Sequence, residues 1–321
     1  TEAHAKNIKV IMDYPMNHVH QDSPHYKNNP SWFWDYKFFG QDCKCGSGPC
    51  GWESAQKERC WFDPFLPDFN YSNAAALKFS LDNLMTWAKD VGADGSNVGF
   101  DGFRMDAVKH IDMTWVTSMR KRLDQEFPNR WLWTVGETFT GSKQLIKHYV
   151  GPDKLDGQFD FPLHDSIRGV IIQRGGNMKD IANFIQDNRC PYGGKSLMSV
   201  FLGNHDKQRV IHDAENQFFG PFDFPAQPSA AEPYERLAMG FTLLMTIPGV
   251  PLIYYGDEVG LGGGKDPDNR RMMVFDDASL NSHQIALRNT VSDLAHIRAE
   301  NPALTRGSRH THSANADTWV Y

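Results

Sequence analysis

The sequence predicts an α/β protein of the (β/α)₈ TIM barrel class, with barrel strands three to eight present and a small irregular loop domain inserted after strand three. Three observations carry this expectation. Six short runs are apolar on both faces, amphipathic helical patterns lie between most of them, and acidic residues close several of the runs. Strands buried on both faces and alternating with helices indicate a parallel sheet covered by helices. Asp13, Asp106, Glu137 and Asp206 stand at or just beyond C-terminal strand ends, where a barrel of this class assembles its site. A doubly wound open sheet would concentrate its site at one switch point instead.

Residues 1–7, TEAHAKN, read as the end of a helix leading into the first run, IKVIMD (8–13). A polar, aromatic-rich loop covers 19–65. A helical pattern at 76–91 precedes the run VGFDGFRMD (98–106), and another at 113–127 separates it from RWLWTVGE (130–137). GQFDFP (157–162), LMSVFLGN (197–204) and VPLIYYG (250–256) complete the set. A closed barrel needs eight strands, so two are expected to precede Thr1. The chain is then an internal piece, poorly stable alone because an unclosed barrel exposes two strand edges. The expected organisation is strand three in 1–18, the inserted loop domain in 19–65, the rest of the barrel in 66–305, and the start of a truncated C-terminal β domain in 306–321.

The formal net charge of −6 and the absence of a Lys/Arg run argue against nucleic acid as a partner. No apolar stretch reaches membrane-span length, since 240–255 is interrupted by Pro248, Gly249 and Pro251. A monomer is expected. The aromatic content of 12%, with nine tryptophans, suits a protein that stacks the flat apolar faces of sugars or other ligands, although a large core accounts for most of it. Cys43, Cys45, Cys50 and Cys60 cluster in the long loop, and Cys190 stands alone. The cluster reads as two disulfides or a zinc site. The spacing lacks the paired C-x2-C knuckles of a zinc site, so disulfides are preferred, and with them a secreted or periplasmic location.

Three stretches carry the chemistry: GFDGFRMDAVKH (99–110), VGET (135–138) and FLGNHD (201–206). They supply Asp106 with Arg104, Glu137, and Asp206 with His205. A glycosidic bond is cleaved by one carboxylate that attacks or stabilises the sugar cation and one carboxylic acid that protonates the leaving oxygen. A random aspartate is usually an ion-pair member or a helix cap; the joint pattern of three acids at strand ends reverses that expectation.

These residues resemble the conserved regions of the α-amylase superfamily, glycoside hydrolase family 13. The resemblance rests on Asp13-x3-Asn17-His18, the run 102–110, Gly136-Glu137, Asn204-His205-Asp206, LPDFN (66–70) and GVPLIYYGDE (249–258), in family order. It implies a retaining hydrolase of α-1,4-glucosidic bonds in starch and maltooligosaccharides, acting through a covalent glycosyl-enzyme. Asp106 would be the nucleophile, kept ionised by Arg104, and Glu137 the acid, with a pKa raised by burial and a neighbouring carboxylate. Asp206 would stabilise the oxocarbenium-like transition state, and Asp13 would support the site from below. His18, Arg104, Lys109, His205, Asp266 and Arg270 would bind substrate; for Lys109 alone the plain alternative is a surface charge.

The resemblance also implies Ca²⁺ held by oxygen ligands, here Asn17, Asp68 and the backbone carbonyl of His110, with Glu58 as a looser fourth. DAVKH, DYPMNH and GKDPDNRRMM also resemble cyclodextrin glucanotransferases and maltogenic amylases, and transfer of the glycosyl group to a sugar hydroxyl is the alternative this implies. A barrel that binds sugar without cleaving it, or serves a transporter, is the remaining alternative; such proteins usually lack one of the three acids, and all three are present here.

Overall fold

The computed structural model describes residues 2–89, 99–188, 192–193 and 196–321, and it divides into two compact units, 1–159 and 160–321. Cys190 lies outside the described residues.

In the first unit, α1 (Glu2–Ala5) leads to β1 (Ile11–Tyr14), followed by α2 (Pro24–Asn28) and a hairpin of β2 (Lys37–Phe38) and β3 (Gln41–Asp42). Then come α3 (Ala74–Lys89), β4 (Gly102–Met105), α4 (Met113–Glu126), β5 (Trp133–Gly136), α5 (Lys143–His148) and β6 (Gly157–Gln158). The four longer-range strands form one parallel sheet in the order β1-β4-β5-β6, with Asp13 opposite Arg104 and Met105 opposite Gly136. Every predicted run in this unit overlaps a strand, though the strands are shorter than the apolar runs. At Gly102 the backbones approach so closely that an added Cβ would meet the Trp133 carbonyl oxygen at 2.2 Å.

Helices α3 and α4 form because their apolar residues recur at helical spacing. Leu81, Leu84, Met85 and Ala88 of α3 are buried, as are Trp115, Val116, Met119 and Leu123 of α4. Asp112 caps α4 by accepting from the Thr114 N–H at 2.7 Å. The Trp115 indole donates to Ser80 Oγ at 3.0 Å, joining the two helices inside the core. Tyr14, Phe103 and Met105 from the sheet belong to the same core.

The second unit contains α6 (Phe161–Ile167), α7 (Met178–Asn188), β7 (Ser199–Phe201), α8 (Val210–Ala214), α9 (Ala231–Thr246), β8 (Val250–Leu252), α10 (Ser282–Glu300) and α11 (Pro302–Arg306). β7 and β8 pair in parallel. A closing antiparallel pair, β9 (Ser313–Ala314) and β10 (Trp319–Val320), docks through the Ala316 carbonyl on the Met178 N–H. The core packs Leu237, Phe241 and Leu244 of α9 with Ile172, Leu202, Ile211 and Leu287. A capping box between Asn281 and Gln284 starts α10. Strand pairing among the described residues does not close into a ring. No helix among them is long and apolar enough to cross a membrane.

Candidate active site

In the first unit the site grows from the ends of β4 and β5. The Arg104 side chain, only 10% exposed, donates to Asp13 at 2.8 Å and also bonds the Asp106 carboxylate. Burial by itself would lower the guanidinium pKa, but the charges of Asp106, Asp13 and Glu137 hold it above its ordinary value. One cation thus serves three carboxylates.

The backbone turns sharply after Asp106, with Ala107 in the left-handed region at φ 51°. That turn aims the Ala107 N–H at Glu137 Oε2, 3.1 Å away. Glu137 is in turn tied through its own backbone, donating to the Met105 carbonyl and accepting from Val108, each at 2.8 Å. The residue after the expected nucleophile therefore holds the expected acid. Asp106 retains 28% side-chain exposure, while Glu137 is buried.

Burial lowers the His18 pKa, and the charge of Asp106 partly opposes this. Lys109 is not a surface charge: it is 1% exposed, donates to the Phe139 carbonyl at 2.7 Å and lies 4.6 Å from the centre of the Trp52 ring. Burial lowers its pKa, with Glu53 and Glu137 acting in opposition.

The metal expectation can be tested against the donors present. Asn17 and Asp68 are each 1% exposed, and Asn17 Nδ2 donates to Asp68 Oδ2 at 2.7 Å. Asn17 Oδ1 is buried with no hydrogen-bond partner. Burial pushes the Asp68 carboxyl well above its usual range, and the Asn17 bond only partly opposes it. A buried carboxyl beside an unpartnered amide oxygen fits a hard cation. Glu58 forms an ion pair with Lys57 at 2.8 Å.

The His110 ring bonds the Lys57 carbonyl at 2.7 Å, so Nδ1 carries the hydrogen. Burial pushes its pKa down to about 3, with the Lys57 bond opposing. The structure joins Cys43 to Cys50 and Cys45 to Cys60, with Cα separations of 5.3 and 5.0 Å. Cys45, Cys60 and His110 gather within 4.8 Å and are the only metal-type group of three His, Cys, Asp or Glu among the described residues. Their two sulfurs are bonded to each other and offer no thiolate, which removes the basis of the zinc alternative.

In the second unit, Asp206 lies on the turn after β7, with its side chain 41% exposed and His205 Nε2 3.5 Å from Oδ1. The N–H groups of Asp206 and Lys207 both donate to Asn204 Oδ1, at 3.0 and 3.1 Å. Arg270 Nε meets Asp266 Oδ1 at 3.1 Å, both side chains about half exposed, so these two expected sugar contacts pair with each other.

Two features escaped the sequence reading. Asn269 donates to the carbonyls of His205 and Lys207, and Arg209 forms a buried pair with Asp257 at 3.1 Å. Proximity to the NHD and YYGDE stretches was the available signal for the arginine and aspartate. Nothing local distinguishes Asn269 from an ordinary turn residue.

Parallel strands flanked by helices thus carry an arginine-held aspartate and a clamped glutamate at adjacent strand ends. The chain belongs to the alpha-amylase family, whose catalytic domain matches residues 1–293, and it has that family's (β/α)₈ barrel fold class. Among curated relatives, the cyclomaltodextrin glucanotransferase of Geobacillus stearothermophilus is 28% identical over 335 residues, 99% of this chain and 42% of the relative. The chain therefore spans less than half the length of such relatives. The alpha-amylase of Geobacillus thermoleovorans, solved in complex with acarbose, is similar at 25% identity and a TM-score of 0.79, covering 98% of this chain and 63% of that one. A cyclic alpha-maltosyl-(1→6)-maltose hydrolase of Arthrobacter globiformis shares the fold at 23% identity and a TM-score of 0.76, over 99% of this chain and 65% of that one.

Proposed function

We propose that this chain is the main catalytic part of a retaining enzyme that cleaves α-1,4-glucosidic bonds in starch and maltooligosaccharides. The observation that carries the reading is the joint placement of Asp106 on Arg104 and of Glu137 on the Ala107 N–H. A reachable carboxylate paired with a guanidinium, beside a second carboxyl that is buried and fixed in place, is the arrangement of two acids that such a reaction requires. Asp106 attacks the anomeric carbon while Glu137 gives its proton to the leaving oxygen. Glu137, now ionised, then takes a proton from the water that breaks the glycosyl–Asp106 bond. Asp206 stabilises the positive charge that develops on the sugar, and His18 and His205 bond its hydroxyls. Lys109 acts on the leaving-group side, and the Asp266–Arg270 pair on the far side of the cleaved bond.

Calcium would be held by Asn17 Oδ1, Asp68 and the His110 backbone, and it would add a rigid tie without entering the chemistry. Its role is tested by elemental analysis and by thermal unfolding before and after chelation. A protein that carries no calcium and loses neither stability nor activity would refute it. The paired cysteines support export, as does the substrate class.

Transfer to a sugar hydroxyl shares every step up to the glycosyl-enzyme. Its support is the similarity to cyclomaltodextrin glucanotransferases. The full-length parent protein, incubated with maltoheptaose and starch beside an Asp106→Asn variant, tests the proposal. Linear oligosaccharides of retained anomeric configuration, absent with the variant, are expected. Cyclic products would shift the reading to transfer, and inverted products would overturn it.

A further inference from the structure

We propose that Asn269 is a positioning residue for Asp206, its side-chain amide fixing the peptide carbonyls on either side of that carboxylate and tying them to the loop that carries Asp266 and Arg270. The role given to Asp206 rests on the function proposed above; the geometry does not.

Asn269 is fully buried. Its Nδ2 lies 2.7 Å from the His205 carbonyl and 2.8 Å from the Lys207 carbonyl. A primary amide nitrogen has two hydrogens, and both are engaged. Two acceptors facing one terminus also fix which end of the amide is nitrogen. Residues 205 and 207 flank Asp206, so this contact grips the chain on both sides of the carboxylate.

The same turn is held from the other direction by Asn204, whose Oδ1 accepts the N–H groups of Asp206 and Lys207. Between them the two asparagines engage two donors and two acceptors of the turn. The Asp206 carboxylate itself stands largely in the open, with His205 at 3.5 Å. Its location is therefore set by its backbone, and the backbone by Asn269.

Asn269 is itself well anchored. Tyr254 donates to its carbonyl at 3.5 Å. The neighbouring Asp268 accepts from Gly264 N–H at 2.7 Å and from Arg271 at 2.7 and 2.6 Å. Asp266 and Arg270, three residues before and one after, pair at 3.1 Å. A sugar gripped by that pair would act on a loop whose next contact is the Asp206 turn. Occupancy far from the cleaved bond would thereby steady the carboxylate that faces the developing cation, a use of remote binding energy at the reacting centre.

The test uses the full-length parent protein with Asn269→Asp, which keeps the shape but replaces two donors with an anion against two carbonyls. On maltoheptaose we expect kcat to fall about a hundredfold, the scale of a small misplacement, with KM changed by less than about threefold. Because a protonated carboxyl regains one donor, the deficit should narrow as pH falls. In an Asp206→Asn background the same substitution should cost almost nothing, the signature of action through that residue. An unchanged kcat in a folded variant, or an equal cost in both backgrounds, would overturn the proposal. If Asn269→Asp does not fold, Asn269→Ser retains one donor and should show an intermediate loss. If the wild-type protein cleaves no glucan, the functional reading fails on its own. The positioning claim is then decided by hydrogen exchange at the Asp206 and Lys207 amides, faster in the variant if it holds and unchanged if it does not.

Discussion

Two arginine–aspartate pairs stand at the strand ends of this protein, one in each unit, and they differ in almost every physical respect. In the first unit, Arg104 is nearly buried, but its partners Asp106 and Asp13 keep 28% and 60% of their side-chain exposure. In the second, Arg209 and Asp257 are 0% and 2% exposed, with the guanidinium carbon 4.2 and 4.7 Å from the centres of the Tyr254 and Tyr255 rings. Burial pushes the Asp257 carboxyl up to about 7, with the Arg209 charge opposing. Asp257 also packs hard against the backbone, since a Cβ at Gly203 would strike its Oδ2 at 2.3 Å. The open pair offers a reachable carboxylate for chemistry. The closed pair reaches no substrate, and its work is to hold the ends of β7 and β8.

The comparison predicts opposite consequences for removing each cation. Arg104→Leu should lower kcat/KM on maltoheptaose about a thousandfold, about 4 kcal/mol of transition-state stabilisation. Its thermal midpoint should move less than that of the closed pair, because Asp13 and Asp106, the two carboxylates it bonds, keep access to water. Steady-state kinetics and calorimetry on one preparation check both halves. A large loss of stability with little loss of rate would reverse the roles assigned to the two pairs.

Above about pH 7, where Asp257 is ionised, Arg209→Leu should act mainly on stability, by about 3–5 kcal/mol, because it leaves a buried carboxylate unpaired. Replacing both partners, Arg209→Leu with Asp257→Leu, should recover much of that loss in urea unfolding. If the double variant is no better than the single, the penalty is a packing defect and the charge reading of this pair is wrong.

A smaller effect separates the units by covalent ties. The bridge from Cys45 to Cys60 closes a loop with a sequence separation of 15, and chain-entropy reasoning gives about 3 kcal/mol for such a loop. The bridge sits beside His110, with the sulfurs 3.9 and 3.7 Å from Nδ1. Reduction should therefore lower the stability of the first unit and free four thiols. Finding four titratable thiols in the untreated protein would remove this tie from the comparison.

Much of this was legible in the sequence because the signals were local. All six apolar runs overlap a strand, and the two long helical patterns fall within two residues of α3 and α4. Asp106 and Glu137 were visible because each ends such a run. Arg104 was visible because residues two apart on a strand face the same side. What stayed hidden depends on contacts far apart in sequence. Asn269 meets residues some sixty positions away, and Lys109 is buried by Trp52 and Phe139, which no periodicity brings to it. The Cys45–Cys60 pairing likewise could not be chosen from spacing, since four cysteines allow three connectivities.

The titration of Asp257 sharpens the contrast between the pairs. Its folded pKa of about 7 lies above the ordinary 3.8, so the folded state holds a proton that the unfolded state has released. The stability contributed by that proton is fully present below about pH 3.8 and is lost as pH rises through about 7. The slope is at most about 1.4 kcal/mol per pH unit for one proton. Arg209 opposes the shift, while the charges of Glu258 and Asp213 add to it. Asp257→Asn cannot titrate yet can still accept from Arg209, so the stability difference between wild type and variant should shrink steadily from pH 4.5 to 7. Urea titrations across that range measure it directly. Parallel curves would mean that Asp257 is ionised throughout, and exposure rather than a bound proton would then be what sets the closed pair apart.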